Sequence, residues 1–393
     1  MGIRSLATWL LPGATSTTLL YVASYAGTLT TLGLTASSRG DVPSMLERVS
    51  VSDGCAGNST WLTLDKLNGI LYCLEEGLDR PNGTLSSFKT SGDGILIQLG
   101  RTPTIGGPVS SVIYGQDGSG LAVSEYGGSG FQTYSIADAS NLIEMQRDVF
   151  KLDQPGSNPE RQEAPHPHQV VLDPTGNFFL VPDLGADLVR IFSIDQKGLQ
   201  YTPSGTLSVP AGSGPRHVSW LVTGTKTFLF LISELANSIT TFEVSYDNSS
   251  LGFRQTYVSS TYGLNKTAPA GAAAAEVVVS PDQRFLILSS RMENSIQIPN
   301  WDSNNSTQIP SDPIITFSIN AETGALAWLQ TFPAGGRVPR QFSVNKAGTL
   351  LAVGLQEDGR VAVINREPVS GLLKDFAATI PVGGGITSVI FDE

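Results

Sequence analysis

His168, Arg216, Glu234, Arg291 and Arg340 are the side chains of this sequence best suited to chemistry on a small anionic molecule. Arginine forks bind carboxylate oxygens in pairs and stay charged at any working pH. Imidazole titrates near neutrality, so His168 suits general acid or base work, and Glu234 suits orienting it, sharing its proton or holding an arginine. The chain has 3 histidines, His166, His168 and His217, all at the starts of two successive repeats. His166 lies between two prolines and reads as a loop residue, while His217 alternates to the other side of its strand and reads as structural. Arg216 with Glu234 also admits a plainer reading, an ion pair between neighbouring units.

What gathers residues so far apart is a repeat: apolar strand, tight turn, apolar strand, polar break, apolar strand. The clearest copy is HPHQVVLDPTGNFFLVPDLGADLVRIFSI, and others start near Trp61, Ser110, Arg216, Ala275 and Arg340, at spacings of roughly 50 to 65 residues. Turns such as DPTG, SPDQ and NKAG reverse the chain because Pro presets φ and Gly or Asn tolerates positive φ. Val, Ile, Leu and Phe dominate the flanks, and no segment sustains a helical period. The ends are each part of a unit: ITSVIFDE matches a first strand, and Leu19 onward matches a second and third. Pairing them closes a ring without an open edge. The expected fold is therefore all-β, a seven-bladed propeller over residues 19–393 closed by its N- and C-terminal strands.

Counted eight residues back from each turn, the innermost strands open at Trp61, Ser110, His168, Arg216, Ala275 and Arg340, with Thr387 at the closing end. These starts share one face of a propeller, and the second strands return to it at Asp183, Glu234 and Arg291. Glu276 follows its ring position and is placed to reach a neighbouring blade. Arg340, Asp183 and Glu276 join the site as substrate-binding candidates. Charge on such a ring must be paired or meet a ligand, and three arginines favour an anionic one.

A metal is not expected. Calcium-dependent propeller lactonases need several inward oxygens, and cationic side chains repel a cation. No serine-hydrolase elbow, phosphate-binding Gly-rich loop or zinc spacing occurs, so neither cofactor nor metal is called for. The net charge of −11 lacks the basic stripe that nucleic acid demands, and no later apolar run is long enough to span a bilayer.

Residues 1–18 read as a degraded secretory signal, with Pro12 interrupting its apolar stretch. Sequons at Asn58, Asn82, Asn248, Asn265, Asn304 and Asn305 point to a secreted glycoprotein, with a cytoplasmic protein as the alternative. Cys55 and Cys73 are close enough in sequence to close one loop as a disulfide worth about 3 kcal/mol. Arg39-Gly40-Asp41 reads as chance in a polar loop.

The stretches HPHQ, GPRH with the later SEL, and SSR resemble the lactonase family with a seven-bladed propeller, which groups bacterial 6-phosphogluconolactonases with the fungal 3-carboxy-cis,cis-muconate lactonizing enzyme. In the muconate-type enzymes a histidine, an arginine, a glutamate and a further arginine occupy the positions of His168, Arg216, Glu234 and Arg291. The resemblance implies lactone formation or opening on a carboxylate-bearing substrate, led by muconate-type cycloisomerisation. Sugar-lactone hydrolysis and a non-catalytic binding propeller are the alternatives. Two departures concern the rim: IPNWDSNNSTQIPSDP resembles an insertion in the sixth blade, and Gln341 stands where many relatives carry His.

Overall fold

In the strand Thr17–Ser24, Leu20 and Val22 face one way, Tyr21 and Ala23 face the other, and all four are buried. Leu20 and Val22 pack with Val361 and Val363 of the sheet on one side, whereas Tyr21 and Ala23 pack with Leu62 and Leu71 of the sheet on the other. The same two-sided burial recurs around the molecule, so the core is not one mass but seven apolar clusters, each shared by two successive sheets. A ring is the arrangement in which every sheet has a neighbour on both faces.

The computed structural model describes residues 17–35, 44–247 and 250–393, and its described elements are strands only. Seven four-stranded antiparallel sheets form the blades. In chain order, blades 2 to 7 span residues 59–103, 108–149, 171–208, 215–260, 273–333 and 339–381. Blade 1 takes its innermost strand, Ile386–Phe391, from the C-terminus and the other three, Thr17–Ser24, Leu29–Thr35 and Met45–Ser52, from the N-terminal part. Leu20 pairs with Phe391 and Val22 with Val389, so the ring closes as the sequence led one to expect.

The hairpins show why this sequence turns where it does. Asp173, Ser280 and Asn345 each close a four-residue loop by bonding their N–H to the carbonyl of Phe178, Phe285 and Leu350, a wider reversal than two central residues. Asp173 Oδ1 accepts the Phe178 N–H and Asn345 Oδ1 accepts that of Leu350, while Gly176 and Gly348 supply the positive φ. The stretch singled out as an insertion is a small hairpin, Ile296–Pro299 with Gln308–Ser311, outside the blade sheets.

Cys55 and Cys73 are bonded across 18 residues and lie in the apolar cluster between blades 1 and 2, so the bond staples two blades beside the closure. Asn82, Asn265, Asn304 and Asn305 are exposed and Asn58 is half-buried. Asn248, the Arg39-Gly40-Asp41 tripeptide and the leader segment up to residue 16 lie outside the described residues.

A chain ending at Gly385 lacks Ile386–Phe391 and leaves the apolar faces of Val361, Val363 and Leu20 uncovered. It should lose the single cooperative thermal transition of the full chain; a wild-type melting curve would contradict closure by this strand.

Candidate active site

Every inner strand opens with a β-bulge, and the bulge builds the site. In blade 5, Pro215 pairs with Ser233 and His217 with Ile232, which leaves Arg216 unpaired on the ladder. Equivalent shifts put Thr60, Val109, Arg340 and Thr387 in the same situation, and in blade 6 the shift falls at Ala275 and Glu276. In blade 4 Pro167 bridges to Asp183, the His168 N–H donates to the Pro182 carbonyl, and the regular ladder resumes at Val171. Thr60, Val109, His168, Arg216, Arg340 and Thr387 line one cavity, with Trp61, His217 and Gln341 beside them.

The sequence count thus places His168, Arg216, Ala275, Arg340 and Thr387 correctly and misses two positions by one residue. Thr60 and Val109, not Trp61 and Ser110, are the bulge residues of blades 2 and 3. Their hairpins carry one residue more before the turn glycines Gly69 and Gly118, so a count from the glycine lands one residue late.

Glu234 organises one side of the mouth. Its Oε2 lies 2.8 Å from Arg291 Nη2 and 2.9 Å from Arg216 Nε, and its Oε1 accepts a 2.7 Å hydrogen bond from Arg161 Nη2. The Arg216 contact is an ion pair without hydrogen-bond alignment; that guanidinium instead donates through Nη1 to the Ala275 carbonyl. Burial alone would raise the Glu234 carboxyl, but Arg291, Arg216 and Arg161 together outweigh it and hold it down at about 2. Arg216 is pushed down to about 9, by burial first and then by Arg291, and still carries its charge at neutral pH.

Glu76 does the same on the other side. Its Oε1 accepts 2.7 Å hydrogen bonds from Tyr25 Oη and Thr60 Oγ1 and lies 3.2 Å from Arg340 Nη2. Arg340 Nη1 also donates to Tyr25 Oη at 2.8 Å. Four guanidiniums are therefore gathered about two carboxylates.

His168 sits between these groups and is 7% exposed. Among the described residues no group hydrogen-bonds to its ring, and Nδ1 is buried without a partner. Its rims are aromatic: Tyr126 meets it edge to face at 5.6 Å and His217 at 5.2 Å. Burial first, then the charge of Arg216 and Arg340, press its pKa well below the ordinary imidazole value. The site therefore holds a neutral imidazole with free nitrogens against a positive field, which suits accepting a proton next to an anion.

Arg291 reaches Glu234 from behind the cavity, and its guanidinium also approaches the Ala273 carbonyl. Glu276 turns to His217, with Oε1 2.8 Å from Nδ1, and does not enter the substrate space as a free carboxylate. Asp183 is a correction. It pairs with Pro167, so its counterpart in blade 5 is Ser233 and not Glu234. The side chain turns into its own blade, where Oδ1 accepts the His166 and Ala186 N–H groups and Oδ2 the Arg190 guanidinium, leaving nothing for a substrate.

Counterparts of Glu234, one residue past the end of the second-strand pairing, include Tyr25, Glu76 and Tyr126, whereas Arg291 is itself paired, with Ala273. The repeat contained them, but a count that ignored the bulge passed over them. Arg161 had no signal in the repeat, because it reaches Glu234 from the loop between blades 3 and 4. Among the described residues no group of three or more His, Cys, Asp or Glu is placed to hold a metal ion.

A carboxylate held at about 2 contributes stability above its unfolded value near 4.5, and that contribution is lost as pH falls through about 2. Glu234→Gln should lower the unfolding free energy at pH 7 by about 3 kcal/mol, because three arginines lose their partner. It should also flatten the wild-type loss of stability between about pH 5 and pH 2. Urea unfolding across pH checks both, and an unchanged midpoint would contradict the network.

Comparison with known proteins agrees with this architecture. The family described as "Lactonase, 7-bladed beta-propeller" matches residues 18–391. A protein of Arthroderma benhamiae named "Probable 6-phosphogluconolactonase" is 27% identical over 91% of this chain and 85% of its own. The 6-phosphogluconolactonase of Bacillus subtilis is 24% identical over 83% of this chain and 85% of its own. Among solved structures, the periplasmic gluconolactonase of Pseudomonas aeruginosa superposes with a TM-score of 0.78 at 22% identity, covering 96% of this chain and 99% of that one. A Lactobacillus plantarum protein superposes with a TM-score of 0.76 at 21% identity over 96% and 99% of the two chains. With a family match spanning nearly every described blade, the chain belongs to the lactonase family of seven-bladed β-propellers.

Proposed function

We propose that this protein hydrolyses the ring of a small lactone carrying an anionic group, with phosphorylated or carboxylated sugar lactones as the substrate class. One observation carries the reading: Arg216, Arg340 and Arg291 act on a neutral His168 and, with Arg161, have among the described residues only Glu234 and Glu76 as paired carboxylates. The surplus positive charge suits an anionic substrate. The 6-phosphogluconolactonase names of the relatives support hydrolysis over cycloisomerisation.

In this reading water attacks the lactone carbonyl carbon and gives up a proton to neutral imidazole. Arg216, which lines the cavity, stabilises the oxygen on which negative charge develops. Arg340 and the half-exposed Arg161 receive the substrate's anionic group. The ring C–O bond then breaks, His168 delivers the proton to the departing oxygen, and a hydroxy acid leaves as its carboxylate. Exposed sequons and the Cys55–Cys73 bond support a protein outside the cell, where a carboxylated lactone is the better candidate than a sugar phosphate.

The correspondence of His168, Arg216, Glu234 and Arg291 with the muconate-type pattern keeps cycloisomerisation as the second reading. Turnover of phosphorylated, carboxylated and uncharged sugar lactones, read by acid release, with muconates read by ultraviolet absorbance, separates the two. Hydrolysis of charged lactones supports the first; lactone formation from muconates without sugar-lactone hydrolysis supports the second.

His168→Ala should lower kcat by about 10²- to 10⁴-fold while the protein stays folded. Because burial and then the charge of Arg216 keep the imidazole neutral below its usual range, kcat/KM should stay level through the pH range where an ordinary imidazole titrates and fall only in stronger acid. Arg340→Gln should raise KM for charged lactones about 10-fold and leave uncharged ones nearly unaffected. Equal effects on both would contradict its role.

A further inference from the structure

The residue after the bulge has a structural task in three blades. Ser110, Gln169 and Gln341 accept the N–H groups of Val170, Val218 and Val389, each two residues past the bulge position of the next blade. His217 holds the corresponding place in blade 5, and the N–H facing it is that of Val277. Glu276 of blade 6 caps that N–H instead, accepting it at Oε1 at 3.0 Å, and the same oxygen faces His217 Nδ1 at 2.8 Å.

His217 is therefore held from one side only. Its side chain is 2% exposed, Nε2 is buried without a partner among the described residues, and the ring lines the same cavity as His168. The two imidazoles stand edge to face with centroids 5.2 Å apart. A glutamine would cap Val277 directly, as Gln169 and Gln341 cap their neighbours, so the fold does not require an imidazole here.

We propose that His217, in place of His168, takes the proton from the attacking water, that Glu276 is the positioning residue that holds it ready, and that His168 keeps only the later step of passing the proton on to the departing ring oxygen. This rests on the hydrolytic reading above. A carboxylate oxygen at Nδ1 makes that nitrogen the protonated one and leaves the lone pair on Nε2, the arrangement of a base oriented by a third group. As the water oxygen bonds to the carbonyl carbon, its O–H proton moves to Nε2, and the facing carboxylate stabilises the imidazolium. The proton crosses to His168 through a bridging water, because the two rings do not hydrogen-bond directly, and then passes to the ring oxygen as the C–O bond breaks. Both imidazoles end neutral. Burial keeps His217 below its ordinary pKa although Glu276 opposes this, so it starts without the extra proton.

The test combines ¹⁵N NMR of the histidines in the wild type and Glu276→Gln with kinetics of His217→Gln and Glu276→Gln on a lactone that the wild type hydrolyses. The wild-type His217 should be the Nδ1–H tautomer, and Glu276→Gln should mix the tautomers. His217→Gln, which keeps a capping side chain, should melt near the wild type and lose at least about 100-fold in kcat; Glu276→Gln should lose about 10-fold with KM little changed. An Nε2–H tautomer in the wild type, or wild-type kcat in His217→Gln, overturns the proposal while leaving hydrolysis standing. Absence of any lactone hydrolysis by the wild type overturns the hydrolytic reading and this proposal with it. Should His217→Gln fail to fold, the wild-type tautomer still decides.

Discussion

Pairing of Ile386–Phe391 with Thr17–Ser24 is the constraint on which the rest of this molecule depends. Each blade buries both faces, so each needs two neighbours, and a ring lacking one strand would expose an apolar face and an unpaired edge together. Closure also fixes the chemistry. The starts of the inner strands can converge on one cavity only if the strands stand in a complete circle, and Thr387 at the chain's end lines the same cavity as Thr60 near its beginning. Thr387 Oγ1 donates to the carbonyls of Ala23 and Ser59, so the closing strand is bonded to the blades on which the site stands.

The bulge converts that architecture into a site. A regular antiparallel ladder would alternate the first residues of each inner strand between blade interior and channel. The extra residue interrupts the alternation where the strand meets the cavity and frees one side chain per blade. Most blades use a small or apolar residue there. Blades 4, 5 and 7 place His168, Arg216 and Arg340, and the buried charge then requires Glu234 and Glu76. Stability and function are joined in these pairs, since the carboxylates that make the arginines tolerable also aim them.

Much of this was legible in the sequence because a propeller repeats its register. The seven blades, their closure and the convergence of His168, Arg216, Glu234, Arg291 and Arg340 follow from the spacing of apolar strands and turns. What escaped did so for local reasons. Hairpins one residue longer put Thr60 and Val109 out of step with a fixed spacing, and the bulge shifts the second strands so that Asp183 aligns with Ser233, while Tyr25, Glu76 and Tyr126 align with Glu234. Arg161 belongs to a loop, where no repeat constrains position. His217 lines the cavity because the bulge at Arg216 interrupts the strand alternation, which a regular alternating strand does not reveal.

The most direct test of the central claim, that the ring of bulge residues binds and opens an anionic lactone, is a crystal structure of His168→Asn soaked with an unhydrolysed charged lactone. The account predicts the lactone carbonyl oxygen within hydrogen-bonding distance of Arg216 and the anionic group on Arg340 or Arg161. A lactone bound elsewhere on the propeller, or carried in the cavity with its anionic group away from every arginine, would contradict it.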